Sequence, residues 1–344
     1  MGDTLFRLGE SLSAGARPGL SPDELGEFLS QAIASVVPHD SFNLSGMNPA
    51  TGIGSLGFWH RADPAFRLAQ RHNLYFGEDP YSPDELARFS VPIAVISPSA
   101  PAPLAQGVLS AHGVGSELRM LLRDGRGVWG MVSLLREEGG SPFGAGDERA
   151  LLRLAQPLIA VVRGHATAIP PQAARPKLAP GIIMVGADHA VRAVSPQARA
   201  WLRELRLPAA ISGGWAATAI SSEVSLAARN SHLGQPLPVA CMPASYAGHW
   251  TAIHAQPLND DGTGDVAVVI QAATGGLLLP AFTAWYSITP RERTILEKLC
   301  EGTAPKQIAR GLKISPHTVN DHLKSLFRKT NTSGRDELTA AIMG

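Results

Sequence analysis

Cysteine is almost absent from this chain: Cys241 and Cys300 are the only two in 344 residues, and they lie far apart. Such usage supplies neither a disulfide framework nor a zinc ligand set, and it points to a reducing cytosol. Long apolar runs are also missing, and none approaches the roughly 20 residues that cross a bilayer. The opening Met1-Gly2-Asp3-Thr4 lacks the basic region and apolar stretch of a signal peptide. The expectation is a cytoplasmic chain with no membrane partner. No Walker loop, nucleophile elbow, H-E-x-x-H site or Cys/His metal spacing occurs, so neither an enzyme nor a cofactor is expected. Nor is there a receiver domain with an acidic pocket, which argues against control by phosphorylation.

What is plentiful is turn-forming sequence, with 35 glycines and 27 prolines. A length of 344 residues favours two or three domains, and 44% hydrophobic residues suffice for ordinary globular cores. The richest run of breakers, Gly164 to Gly181, holds Pro170, Pro171, Pro176 and Pro180 and reads as a linker over 164–180. Ser97 to Gly107 has three prolines but falls inside what looks like one domain, so a loop is expected there.

The last sixty residues are the most informative. Three helix starts follow one another, each with proline at the first helical position, where its fixed φ is preset and its missing N–H costs nothing. Thr289 and Glu292 form a capping box before Pro290. Pro305 opens a second helix behind Ala304, a weaker cap than Ser or Thr by about 1 kcal/mol. Ser315 caps a third, with Ile314 and Val319 at staple positions. The second and third helices are separated only by a turn around Leu312-Lys313-Ile314, a helix-turn-helix signal. On the third, Val319, Leu323, Leu326 and Phe327 share a face that must be buried. The opposite face carries His317, Asp321, Lys324 and Arg328, with Asn320 on its flank, a donor-rich side able to lie in a major groove. From residue 285 onward ten basic residues stand against six acidic ones, a net +4, while the whole chain carries +1. The positive part is the part that should meet a polyanion.

This segment resembles the DNA-binding domain of the LuxR family of transcription regulators. The likeness rests on Thr289 to Glu292, Lys306 to Ala309, Ser315 to His322, Arg328-Lys329, and Arg335 to Leu338. It implies an all-α four-helix domain over 280–344, with base contacts from Asn320, Asp321 and Lys324. Asn pairs with adenine, Lys donates to guanine, and Asp accepts from cytosine. Lys306, Ser315, His317, Thr318, Arg328 and Lys329 are the expected phosphate contacts, which give position without sequence reading. His322 is either packed in the domain or in contact with DNA. The resemblance further implies a homodimer on inverted-repeat sites, with the fourth helix often dimerising, and RNA polymerase as a partner. Sigma-like factors use a similar motif, so a factor acting through polymerase is the competing reading; the upstream basic and aromatic helix it needs is not found.

Upstream, Ser21-Pro22-Asp23-Glu24 is another capping box, followed by Leu25, Phe28, Leu29, Ala32 and Val36 at helical spacing. Strand-like runs follow near Phe42–Met47 and Ile53–His60. A short helix begins at Ser82, and a hairpin pairs Glu117–Arg123 with Val128–Leu135 across Asp124-Gly125. A helix from about Asp147 to Val162 closes the region, and Pro157 should kink it. This order resembles an α+β GAF sensor domain over 1–163, a family that binds small molecules, dimerises, or both. Trp59, His60, Tyr75 and Trp129 are candidates to line a pocket, although aromatics filling a core is the favoured reading. Two Gly-x-Gly-x-x-Gly matches, at Gly52 and Gly125, are not followed by helices and are read as chance.

Between 181 and 279, strands at Gly181–Val185 and Val191–Val194, a helix over Pro196–Leu205, and strands at His249–His254 and Val266–Ile270 resemble an α+β PAS domain. Ser195 stands where many of that family have Asn. His249 and His254 are possible haem ligands, but strand histidines with ordinary hydrogen bonds are the favoured reading. The chain therefore reads as a multidomain, one-component regulator in which a signal, such as a small-molecule ligand, shifts the DNA-binding domain between competent and occluded arrangements.

Overall fold

Ser21 opens the first helix as its capping box requires: its hydroxyl accepts from the Glu24 N–H at 3.2 Å, and Glu24 Oε2 accepts from the Ser21 N–H at 2.8 Å. The structure, a computed structural model, describes residues 8, 9, 12, 20–76, 79–97, 103–169, 178–205, 213–229, 238–259 and 261–343. Residues 170–177 of the expected linker, including Pro170, Pro171 and Pro176, lie outside them.

Helix α1 (Pro22–Ala34) buries Leu25, Leu29 and Ile33. Strands β1 (Ser41–Met47) and β2 (Gly54–His60) follow, then α2 (Pro64–Phe76), α3 (Pro83–Arg88), β3 (Ile93–Ile96) and α4 (Pro103–Ala111). The hairpin is β4 (Val114–Asp124) and β5 (Gly127–Glu137). Together the strands make one antiparallel sheet in the order β2-β1-β5-β4-β3. Helix α1 presses on the edge strand, and a Cβ on Gly26 would lie 2.3 Å from the Trp59 carbonyl oxygen, so glycine is required at this contact.

Two sequence expectations need correction here. The proline-rich loop gives way to helix at Pro103, since proline suits a first helical position; residues 98–102 are outside the described set. The single kinked helix is instead two, α5 (Ala145–Arg153) and α6 (Ala155–Ala166), meeting at Leu154. The break lies upstream of Pro157, which places that proline in the first turn of α6, where its missing N–H has no intrahelical acceptor to disappoint. Helix α6 also takes three residues from the expected linker.

The first sheet is covered on both faces. Leu118, Met120 and Leu122 point into the main core with Leu25, Leu158 and Val162. The alternate residues face α2 and α3, and among them Arg119 is 1% exposed. Its Nε and Nη2 donate to the two Glu117 oxygens at 2.8 and 2.9 Å, and Nη1 donates to Asp79 at 3.0 Å. Gln70 also donates to Glu117, at 2.9 Å. Burial opposes the Arg119 charge, but the two carboxylates outweigh it and raise its pKa. Helix α2, for which no expectation was drawn from the sequence, covers it.

The middle region has β6 (Gly181–Val185), β7 (Val191–Val194), α7 (Pro196–Glu204), α8 (Gly213–Arg229), β8 (Val239–Met242), α9 (Ala244–Ala247), β9 (Thr251–Pro257) and β10 (Val266–Ala272). Its antiparallel sheet runs β7-β6-β10-β9-β8. Counted within each sheet, both follow the order 2-1-5-4-3. Ser195 caps α7, accepting from Ala198 at 3.1 Å and from the Ile182 N–H at 2.9 Å, and so ties helix to strand. The last part begins with α10 (Gly275–Trp285), which spans the expected boundary at 280, and continues as α11 (Pro290–Cys300), α12 (Pro305–Gly311), α13 (Pro316–Thr330) and α14 (Arg335–Met343). No helix among the described residues is long and apolar enough to cross a membrane.

Candidate nucleic-acid interface

The three proline-led helices start where their caps place them. Thr289 Oγ1 accepts from the Glu292 N–H at 3.3 Å, and Glu292 Oε2 accepts from the Thr289 N–H at 2.7 Å. Ala304 offers no side-chain acceptor, so only the Gln307 half of a box forms, at 3.3 Å to the Ala304 N–H. Ser315 Oγ accepts from the Thr318 N–H at 3.0 Å. Between α12 and α13, Lys313 adopts φ 53°, which lets the chain reverse within three residues. Arg291 donates to the Leu312 carbonyl at 3.3 Å and fastens this turn to α11.

Helix α13 is two-sided as expected. Val319, Leu323 and Leu326 are buried and Phe327 is half-buried. Asn320, Asp321 and Lys324 are exposed on the other side, as are Lys306, Ser315, His317 and Arg328; Thr318 is half-exposed. The structure thus brings the three expected base-reading residues together on one open stripe. His317 Nε2 lies 3.6 Å from Asp321 Oδ2, one helical turn away on the same stripe. His322 is half-buried, between its two readings.

Lys329 is the exception. Its Nζ donates to Glu292 Oε2 at 2.6 Å and to the Ser287 carbonyl at 2.8 Å, so it faces α11 rather than the surface. Burial pushes the Glu292 carboxyl up, but hydrogen bonds from Lys329, Thr289 and Ser325 outweigh it and hold the pKa at about 2. This tie was missed because a basic pair at a helix end reads equally well as a phosphate clamp.

The domain is joined to the rest of the molecule around Ser287, which has φ 53°. Arg126 from the β4–β5 turn and Arg163 from α6 both donate to its hydroxyl. Next to it, Trp285 and Trp129 are both buried, with ring centroids 5.6 Å apart. Trp129 is therefore a packing residue at this junction. His60 pairs with Phe42 across β1 and β2. Trp59 and Tyr75 do line a cavity, between the two sheets. His249 lies with its ring 5.5 Å from Trp201, and His254 lies 3.4 Å from Gln271. Among the described residues no three His, Cys, Asp or Glu side chains are grouped to hold a metal.

Residues 286–342 match the family described as bacterial regulatory proteins, luxR family. A putative HTH-type transcriptional regulator of Mycobacterium bovis is 34% identical over 76 residues, 22% of this chain and 8% of that protein. The transcriptional regulatory protein UhpA of Escherichia coli is 39% identical over 80 residues, 21% of this chain and 41% of UhpA. The matched stretches thus span less than half the length of these relatives. Among solved structures, Escherichia coli SdiA aligns over 98% of this chain and 95% of its own, at 14% identity and a TM-score of 0.37. That likeness is too slight to assign the two sheets.

Proposed function

We propose that this chain, which carries a LuxR-family helix-turn-helix domain over residues 286–342, is a sequence-specific DNA-binding transcription regulator. The single observation that carries the reading is α13: one face is packed into its domain, and the other presents Asn320, Asp321 and Lys324 to solvent. A helix so mounted enters a major groove with those side chains at the base edges. Ser315, Thr318, Lys306 and Arg328 hold the register through phosphates, with His317 at the helix start. Lys329 supports the helix from behind. The functional unit is a homodimer on an inverted repeat, and it acts on RNA polymerase in the cytoplasm.

The two sheet-bearing parts are its sensory region. Their shared antiparallel order supports a GAF-like first domain and a PAS-like second, each carrying a five-stranded sheet with helices packed on it. Both touch the elements that lead to the helix-turn-helix, so a signal received there reaches α13 by a shift between arrangements.

Genome-wide footprinting with purified full-length protein tests the reading, with the Asn320→Ala/Lys324→Ala double variant as control. A short inverted-repeat motif, bound by the native protein and lost in the variant, is expected. An identical footprint from both proteins overturns the assignment of α13 as the reading helix.

A further inference from the structure

Between the two sheets lies a cavity of about 100 Å³ that neither domain forms alone. Strand β2 and helix α2 of the first domain supply Gly54, Leu56, Arg71 and Tyr75; helix α8 and strands β8 and β9 of the second supply Ile220, Glu223, Val224, Met242 and Ile253. Its walls are mainly aliphatic, and its charged groups are Arg67, Arg71 and Glu223.

The polar groups of the lining are unequal in their hydrogen bonding. Glu223 is 7% exposed and its oxygens are well supplied. Oε1 accepts from the Gly54 N–H at 2.8 Å, and Oε2 accepts from Arg71 Nη2 at 3.0 Å. Tyr75 adds a further hydrogen bond to the same carboxylate. The Gly54 contact depends on glycine, because a Cβ there would lie 2.7 Å from Glu223 Oε2. Tyr246 is likewise satisfied, donating to the Gly57 carbonyl at 2.6 Å and accepting from its N–H at 3.1 Å. Arg71 is different: its Nε is buried with no acceptor among the described residues. A buried donor left unmade is destabilising, more so on a charged group, so Arg71 has an unfilled requirement for an acceptor oxygen.

Charge and shape narrow the choice. The lining carries two guanidinium groups, Arg67 and Arg71, against one carboxylate. Both guanidinium groups are backed by aromatic rings, Arg67 over Trp59 at 3.1 Å and Arg71 over Tyr75 at 5.2 Å. Aromatic backing fixes each plane, and on Arg71 it leaves Nε directed away from the Glu223 bond for a planar anion to approach. An apolar cavity of about 150 Å³ accepts a benzene ring, so this one, at about 100 Å³, suits a body of roughly three or four carbons. We propose that the cavity is a binding site for a small monocarboxylate, its carboxylate on Arg71 and its apolar body against Leu56, Ile220 and Met242. Because both domains line it, an occupied site stabilises this arrangement of the two over any other. The inference rests on the sensory reading of these domains and names the ligand class that reading lacks.

Calorimetric titration of the full-length protein without DNA tests it, using butyrate, isobutyrate, valerate and isovalerate, each beside its neutral amide. At least one acid should bind saturably, with its amide weaker by about tenfold or more. Arg71→Gln should lower affinity by a similar factor, and Met242→Trp, which fills the cavity, should abolish binding; circular dichroism of each variant checks its fold. Failure of all four acids to saturate by about 10 mM, a range in which even weak sites fill, overturns the proposal. So does equal binding of acid and amide, or undiminished binding by folded Arg71→Gln. Since no DNA is present, loss of this site leaves the footprinting result untouched, and the two readings fail separately.

Discussion

Lys324 and Lys329 sit five positions apart on α13, and their surroundings give them different roles. Lys324 is exposed on the reading stripe, so Lys324→Ala should weaken specific binding by about 1–3 kcal/mol and relax the base preference at one position. Arg328→Ala should instead lower affinity on all sequences alike and reduce the salt slope by about one, as expected of a phosphate contact. Both are read from competition binding at several salt concentrations; unchanged preference in Lys324→Ala would remove it from the base-reading set. Lys329 belongs to the fold, through Glu292. The Glu292 pKa of about 2 lies below its unfolded value of about 4.3, so its stabilisation is fully present above about pH 4.3 and is lost as pH falls toward 2. In Lys329→Met the acid-unfolding midpoint should move to higher pH, measured by circular dichroism; an unmoved midpoint would show that the pair holds nothing. The reading stripe was legible because a two-sided helix shows both sides in its spacing. The Lys329 tie was not, since its partner lies 37 positions away.

Among the described residues, the helices opened by Ser or Thr before a proline are legible in the sequence. Ser21, Ser82, Thr289 and Ser315 each precede a proline and each accepts a bond from the first turn. Helix α8 has Gly213 and Gly214 at its start and Ser and Thr along its length, which lower helix propensity. It is held by packing: Ala217, Val224 and Ala228 are buried in the common core. Helix α2 was missed although Asp63 accepts from the Ala65 and Phe66 N–H groups at 3.1 and 3.0 Å, a cap visible in Asp63-Pro64. The caps also set where α13 begins, and hence which residues face the groove. Ser315→Ala should cost about 1 kcal/mol of stability in thermal melts. It should weaken DNA binding by more than that figure if the first turn also carries phosphate contacts. Equal affinity in Ser315→Ala would separate the cap from the interface.

At the scale of the whole molecule, one apolar core runs through both sheets and into the helix-turn-helix, from Leu25 to Ile342. Sequence reading divides such a chain at its linkers, because periodicity reports which face of an element is buried and not what buries it. Hence Trp129, favoured as a core aromatic, gave no sign that Trp285 is its partner, and the Arg71–Glu223 pair, 152 positions apart, left no trace. His165 belongs to the same interdomain packing. It is 6% exposed at the end of α6, its ring 4.8 Å from Phe58 and 6.5 Å from Tyr246 of the middle domain. Burial lowers its pKa to about 4, so the folded protein keeps the ring neutral while the unfolded chain takes up a proton below about pH 6.5. The unfolded state therefore binds more protons between those values. Stability contributed by the neutral ring is intact above about pH 6.5 and falls as pH drops toward 4, by on the order of 3 kcal/mol in total. His165→Phe keeps a ring against Phe58 and Tyr246 without a titrating nitrogen. Its stability, from urea unfolding at several pH values, should lose the decline that the native protein shows across that range. If both proteins decline equally, protonation at this contact does not loosen the two sheet-bearing domains, and the pH response must come from groups elsewhere.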